Sequence, residues 1–158
     1  MNVDAPALLQ ALEASGLGQG IRSSVWAYPT ANVLHVVGVT AFVSAVVVMD
    51  LALAGRLGGS DRGRLARAAQ RFAFALFAVV VASGFVLFAA EASHVALNRV
   101  FQVKMVLIAL ALLNALLMGR AEFARADRGE AAGPGVTVAL SLALWFLVVA
   151  AGRLIAYY

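Results

Sequence analysis

Two histidines that accompany long apolar segments are the residues best suited to chemistry in this chain. His35 lies within YPTANVLHVVGVTAFVSAVVVMD, one helical turn after Asn32, and His94 follows the apolar stretch ending in GFVLFAAEASH. A polar side chain is costly in lipid, so it normally faces protein, water or a ligand. Two imidazoles could supply both axial ligands of a haem b iron, and nearby cationic side chains could neutralise the haem propionates.

A ligand site of this kind would use His35, His94, Arg99, Lys104 and Arg153. If both helices are straight, however, His94 lies about 10 Å above His35. A shared haem would then require the second span to end early and fold inward. No paired-histidine spacing, methionine-rich cluster, nucleophile or phosphate loop is present, so the metal is unknown and an enzyme acting alone is not expected.

The alternative is a structural polar cluster in the outer half of the protein. In this hypothesis His35 faces the protein interior as a neutral imidazole, hydrogen-bonded to Asn32 or Glu91. Glu91 is also expected to form an ion pair with Lys104 or Arg153, since unpaired charges near hydrocarbon are costly. The predicted cluster comprises Asn32, His35, Glu91, Asn98, Lys104 and Arg153.

The composition indicates an integral membrane protein. Of 158 residues, 63% are hydrophobic and 13% charged, whereas a soluble domain carries about a quarter charged residues. The absence of cysteine excludes disulfides and thiolate chemistry. The net charge of +4 does not indicate nucleic-acid binding, because the basic residues fall between apolar runs, as in membrane topology. The lipid bilayer is the expected partner.

Four apolar runs predict an all-α fold, an up-down four-helix transmembrane bundle forming a single domain over residues 1–158. The expected spans are about 28–53, 72–91, 103–119 and 136–156, each near the roughly 20 residues that cross a bilayer. Residues 1–20 carry Leu8, Leu9 and Leu12 on one face. They are expected to form a short amphipathic helix in the membrane interface.

The loops predict the orientation. Eight of the twelve basic residues fall in the two loops that follow the first and third spans. The positive-inside rule therefore places both termini of this multi-pass membrane protein outside the cytoplasm. Asp50 is expected near the first of these loops, close enough to pair with Arg56.

Four pieces of the sequence resemble a family of uncharacterised bacterial four-helix inner-membrane proteins, a domain of unknown function. They are SSVWAYPTANVLHVVG, VVVMDLALAG, NRVFQVKMVLIALALLNA and SLALWFLVVAAGRLIAYY. The resemblance spans nearly the whole chain and implies the same fold, the same topology and a location in the bacterial cytoplasmic (inner) membrane. It carries over to Trp26, Tyr28, Pro29, Asn32, His35, Gly38, Asp50, Asn98, Phe101, Lys104, Asn114, Gly152 and Arg153. The architecture is also remotely similar to the membrane domain of copper-resistance protein D and to four-helix b-type cytochromes.

Three functions follow as alternatives. The first is a non-enzymatic accessory or structural subunit, whose partners would be other membrane subunits or further copies of the chain. The second is an electron-transfer subunit that binds haem b or a metal at His35. The third is a small-solute or ion transporter, since ionisable residues inside membranes often mark transport pathways.

Overall fold

A computed structural model describes residues 6–130 and 135–157, without the side chain of Met118. Every regular element in these ranges is helical, which confirms the all-α prediction. The helices are α1 (Ala7–Ala14), α2 (Gly16–Ser23), α3 (Ala27–Leu53), α4 (Arg62–Ala90), α5 (Ala92–Leu97), α6 (Arg99–Asp127) and α7 (Gly135–Leu154), with a 3₁₀ turn at Gly59–Asp61.

Four of these helices, α3, α4, α6 and α7, are long and apolar enough to cross a membrane. The most apolar window of each has a mean hydropathy between 2.2 and 2.6. At about 1.5 Å per residue, the shortest, α7 with 20 residues, already matches the roughly 30 Å of hydrocarbon in a bilayer. The number of candidate spans is therefore the predicted one.

Two of the long helices exceed their predicted spans at the same end of the molecule. α4 begins at Arg62 instead of about residue 72, and α6 continues to Asp127 instead of about residue 119. Apolar runs reveal only the part of a helix that suits lipid. The additional segments, RGRLARAAQR and RAEFARAD, consist largely of alanine, arginine and other strong helix formers, so the helices continue beyond the apolar part.

The long helices associate mainly as two pairs. α3 packs along α4, and α6 packs along α7, whereas contacts between the pairs are fewer. One buried cluster nevertheless draws on all four helices. It contains Phe42, Ala45 and Val46 of α3, Ala73 of α4, Ala111 of α6, and Leu144, Trp145 and Val148 of α7.

The end of the molecule that carries the two basic loops, here called the arginine-rich end, is closed by polar contacts. α3 stops where Gly55 adopts φ 71°. The amide of Arg56 bonds the carbonyl of Leu51 at 2.9 Å, the signature of a Schellman cap, which favours glycine. The buried Arg62 donates to the carbonyls of Leu53, at 3.3 Å, and of Glu130. The arginine-rich end carries Arg56, Arg62, Arg64, Arg67, Arg71, Arg120, Arg125 and Arg128.

Two short helices replace the single N-terminal helix expected over residues 1–20, of which 1–5 lie outside the described residues. The chain breaks at Ser15, which is extended and accepts a bond from the amide of Gly18 at 3.3 Å, thereby capping α2. Both helices pack at the opposite end of the molecule, against α4 and α5.

A network around Glu13 fastens these short helices. The Glu13 carboxylate accepts from the Ser93 amide at 3.0 Å and pairs with Arg22 at 3.3 Å. Arg22 also donates to the carbonyl of Ala90 at 2.7 Å. The hydrogen bonds from Ser93, and secondarily the charge of Arg22, lower the pKa of the Glu13 carboxyl. Glu13 therefore joins α1 to α2 and to α5.

Candidate functional site

His35 lies between α3 and α4. Its Nδ1 is 3.1 Å from both the Val80 carbonyl and the Ser83 hydroxyl. The Ser83 hydroxyl donates its own hydrogen to backbone carbonyls of α4, of which that of Val79 is the nearer at 2.7 Å. Ser83 therefore accepts from His35, and both contacts fit an imidazole that carries its proton on Nδ1. The predicted inward orientation of His35 is thus confirmed.

The prediction that Asn32 or Glu91 forms a hydrogen bond with His35 is wrong. Asn32, one turn earlier on the same helix, is exposed, and so is Glu91. The imidazole instead contacts α4 directly, because the glycine at position 84 leaves room for it. A Cβ atom at Gly84 would lie 3.0 Å from Cε1 of His35. A ring held this closely by the neighbouring helix serves first as a contact between α3 and α4.

Lys104 is the second inward-facing member of the predicted cluster. It is partly buried on α6, and its Nζ lies 3.4 Å from where a Cβ atom at Gly152 of α7 would stand. It lies within electrostatic range of His35. Within ranges 6–130 and 135–157 it forms no ion pair. The expected pair with Glu91 is therefore absent from the structure.

The other members are spread over the surface or used locally. Asn98 caps α6, its side chain accepting from the amide of Val100 at 2.8 Å. Arg153 donates to the hydroxyl of Tyr157 at 2.7 Å and stacks on the same ring at 4.8 Å. Arg99 and Glu91 are exposed. The structure therefore brings together only His35 and Lys104 from the predicted cluster.

The two histidines occupy different surroundings. α4 ends at Ala90, and His94 follows on the short helix α5. There its side chain is exposed, with Glu13 as an electrostatic neighbour. His35 is held against Gly84 in the interface between α3 and α4. Because a shared haem needs both imidazoles on opposite faces of one porphyrin plane, this geometry does not favour the two-histidine site. In the described part of the chain, no three metal-ligating side chains converge.

The arginine-rich end contains a cavity that was not predicted, here called the Asp50 cavity. It has a volume of about 150 Å³, lies between α3, α4, α6 and α7, and is open on one side, where the exposed Phe74 lines it. One water molecule needs roughly 10–15 Å³ on this scale, so the Asp50 cavity can hold a small solute. Its polar side chains are Asp50, Gln70, Asn114, Glu122, Thr137 and Ser141.

Asp50 is the most deeply buried charged residue described, with 4% of its surface exposed. Ser141 of α7 donates a hydrogen bond to its carboxylate. Its Oδ2 atom is fully buried, and no described residue donates to it. The predicted partner, Arg56, is exposed on the loop. An oxygen of a buried carboxylate without a donor is costly, which distinguishes Asp50 from every other acid in the described ranges.

Glu122 is the second acid that lines the Asp50 cavity. It is 8% exposed and lies on α6, 3.9 Å from Arg125. Its charge is thus partly compensated by a cation of its own helix. Asp50 is therefore the acid of the Asp50 cavity for which no described residue supplies a counter-charge.

Aromatic side chains form the inner part of the Asp50 cavity. The rings of Phe42 and Trp145 meet edge to face at 4.7 Å, and Phe77 lies 5.5 Å from Phe42 and 6.3 Å from Trp145. All three residues line the Asp50 cavity. The site thus combines an acidic region near the arginine-rich end with an aromatic region deeper in the molecule.

Comparisons with protein-family models, with curated proteins and with solved structures give no match to this chain. The resemblance to the four-helix inner-membrane family therefore stays a prediction.

Proposed function

We propose that the chain is a four-helix bundle spanning the bacterial inner membrane, and that it binds a small monovalent cation at Asp50 as a transporter-type protein. Four helices of sufficient length and hydropathy support the membrane assignment. The grouping of eight arginines at one end supports an orientation with that end in the cytoplasm.

The observation that carries the cation site is the buried Oδ2 of Asp50 beside a cavity. A charged carboxylate inside a protein requires either a proton or a cationic partner. No described cation supplies one, since the ion pairs of the arginine-rich end involve Asp61, Glu122, Asp127 and Glu130. A cation bound beside the Asp50 carboxylate would supply the counter-charge that Ser141, a neutral donor, does not.

The accessory-subunit hypothesis assigns Asp50 only a packing role, and it predicts a different result for one substitution. Asp50→Asn keeps the shape and the bond to Ser141 but removes the charge. If Asp50 binds cations, a chloride salt should raise the melting temperature of the purified wild type at constant ionic strength. The salts to test are those of sodium, potassium, ammonium and methylammonium. A cation at one hundred times its Kd adds about 2.7 kcal/mol, or about 5–10 °C for a chain of this size. Asp50→Asn should abolish this increase.

Asp61→Asn is the matched control, since this acid is exposed in the loop and pairs with Arg64. It should retain the full cation response. An Asp50→Asn variant that responds to cations like the wild type would refute the cation site and favour the accessory-subunit hypothesis. The measurement is thermal unfolding in detergent micelles, with a bulky buffer cation replacing the test cation in the reference.

The orientation gives a separate prediction. Reporter tags fused at Met1 and Tyr158 should both register outside the cytoplasm, and a tag inserted at Gly59 should register inside. The physical reason is the excess of arginine in the two loops of the arginine-rich end. Detection of either terminus in the cytoplasm would reverse the orientation, and the Asp50 cavity would then lie on the outer side.

A further inference from the structure

The Asp50 cavity is polar at one end and aromatic at the other. Asp50 and Ser141 form the polar end, and Phe42, Phe77 and Trp145 form the aromatic end. A bare inorganic cation would use only the first of these. The aromatic end offers contact area to a ligand that also has an apolar part.

The helix positions set the length of a ligand that reaches both ends. On α7, Ser141 precedes Trp145 by one turn, about 6 Å along the axis, and on α3, Phe42 precedes Asp50 by about 12 Å. A ligand with its charge at Asp50 and its apolar group at Trp145 therefore spans roughly 6–12 Å. This length corresponds to an ammonium group joined to one ring or a short alkyl chain.

The chemistry of the walls favours the same class of ligand. Most side chains that line the Asp50 cavity are apolar, among them Val46, Leu53 and Phe123. Alkali-metal and alkaline-earth ions prefer a nearly complete shell of oxygen ligands. An organic ammonium ion needs only a few acceptors for its N–H groups, and its substituent gains from burial against aromatic rings.

We propose that the Asp50 cavity recognises a small organic ammonium ion, which places its charged group beside Asp50 and Ser141 and its apolar substituent against Trp145 and Phe77. This inference rests on the proposed function, because it specifies the cation that Asp50 binds. It assigns selectivity to the aromatic residues and charge recognition to Asp50.

Benzylammonium chloride is the probe, with methylammonium chloride and the neutral benzyl alcohol as comparisons. Calorimetric titration of the full chain in detergent micelles should give benzylammonium an affinity about 10-fold higher than methylammonium, as expected for about 1.4 kcal/mol of added aromatic contact. Benzyl alcohol should bind at least about 10-fold more weakly than benzylammonium, because it lacks the charge. Asp50→Asn should abolish binding of both cations.

Trp145→Leu should lower the affinity for benzylammonium about 10-fold and leave that for methylammonium unchanged. Its matched control is Trp26→Leu, because Trp26 is 79% exposed and far from the cavity lining. Trp26→Leu also leaves Trp145 as the single tryptophan, so its fluorescence should respond to benzylammonium. If Trp145→Leu does not fold, Phe77→Leu tests the same wall.

The outcomes distinguish a failure of the organic-ammonium proposal from a failure of the cation site at Asp50. If methylammonium and benzylammonium bind with equal affinity and neither binds Asp50→Asn, the proposal of an organic ammonium ligand is refuted and the cation site is supported. The same conclusion follows if the aromatic variants bind benzylammonium normally. Binding of either cation that survives Asp50→Asn, or no binding of any monovalent cation to the wild type, would overturn the proposed function itself.

Discussion

Replacing Arg62 by methionine is expected to lower the free energy of unfolding by about 2–4 kcal/mol. Arg62 is 8% exposed and donates to the carbonyls of Leu53 and Glu130. A hydrogen bond from a charged donor contributes about 1.5–3 kcal/mol, and the bond to Leu53, long at 3.3 Å, contributes less than the other. Methionine removes both bonds and keeps most of the side-chain volume. The carbonyl at the end of α3 would then lose its donor.

Arg64→Met is the control for this prediction, because it removes an arginine from the same turn. The side chain of Arg64 is 82% exposed and pairs with Asp61 at 2.8 Å. Exposed pairs of this kind contribute about 0–1 kcal/mol. Unfolding by sodium dodecyl sulfate in mixed micelles measures both variants. Equal stability losses would show that Arg62 does not hold the arginine-rich end together.

Gly18→Ala is expected to detach the two N-terminal helices from the rest of the protein. A Cβ atom at this position would lie 2.5 Å from the carbonyl oxygen of Glu13 and 2.9 Å from that of Ala89. Both neighbours are backbone atoms, which cannot rotate away as a side chain can. The expected loss of stability is about 1–3 kcal/mol, accompanied by faster amide hydrogen exchange in α1 and α2.

Gly20→Ala, two residues later in the same helix, separates this clash from the general effect of the substitution. No atom lies within 4 Å of a Cβ atom at Gly20. Alanine should therefore stabilise the helix by about 0.5–1 kcal/mol, and exchange in α1 and α2 should be no faster than in the wild type. Similar exchange rates in the two variants would contradict the close packing of α2 against Ala89.

The sequence predicts the long helices because apolar runs of this length rarely form any structure other than a membrane-spanning helix. The apolar runs do not predict the full length of α4 and α6. Strong helix formers extend α4 back to Arg62 and α6 on to Asp127, outside the apolar segments. The break at Ser15 is a local cap of α2, but the placement of α1 and α2 depends on contacts with α4 and α5. Such contacts join distant parts of the chain and are invisible to periodicity.

The site was only partly predictable for the same reason. The inward orientation of His35 follows from the small residues on its side of α3, one of them the buried Gly38. Its partners, Val80 and Ser83, depend on the register between α3 and α4. Proximity in sequence predicts that Asp50 pairs with Arg56 of the nearest basic loop, whereas Arg56 is exposed in the structure. The one available signal was Ser141, a polar residue at a similar depth of α7.

The polar contacts described between the two helix pairs lie at the arginine-rich end, and this has a mechanical consequence. Arg67 binds Asp127, Arg62 binds the Glu130 carbonyl, and Ser141 binds Asp50. At the opposite end the pairs meet through the stacked rings of Phe88 and Phe101, 5.6 Å apart. Directional hydrogen bonds resist displacement, whereas apolar surfaces slide at little cost. The two helix pairs are therefore held in a fixed register beside Asp50, whereas at the far end α5 and apolar surfaces join them.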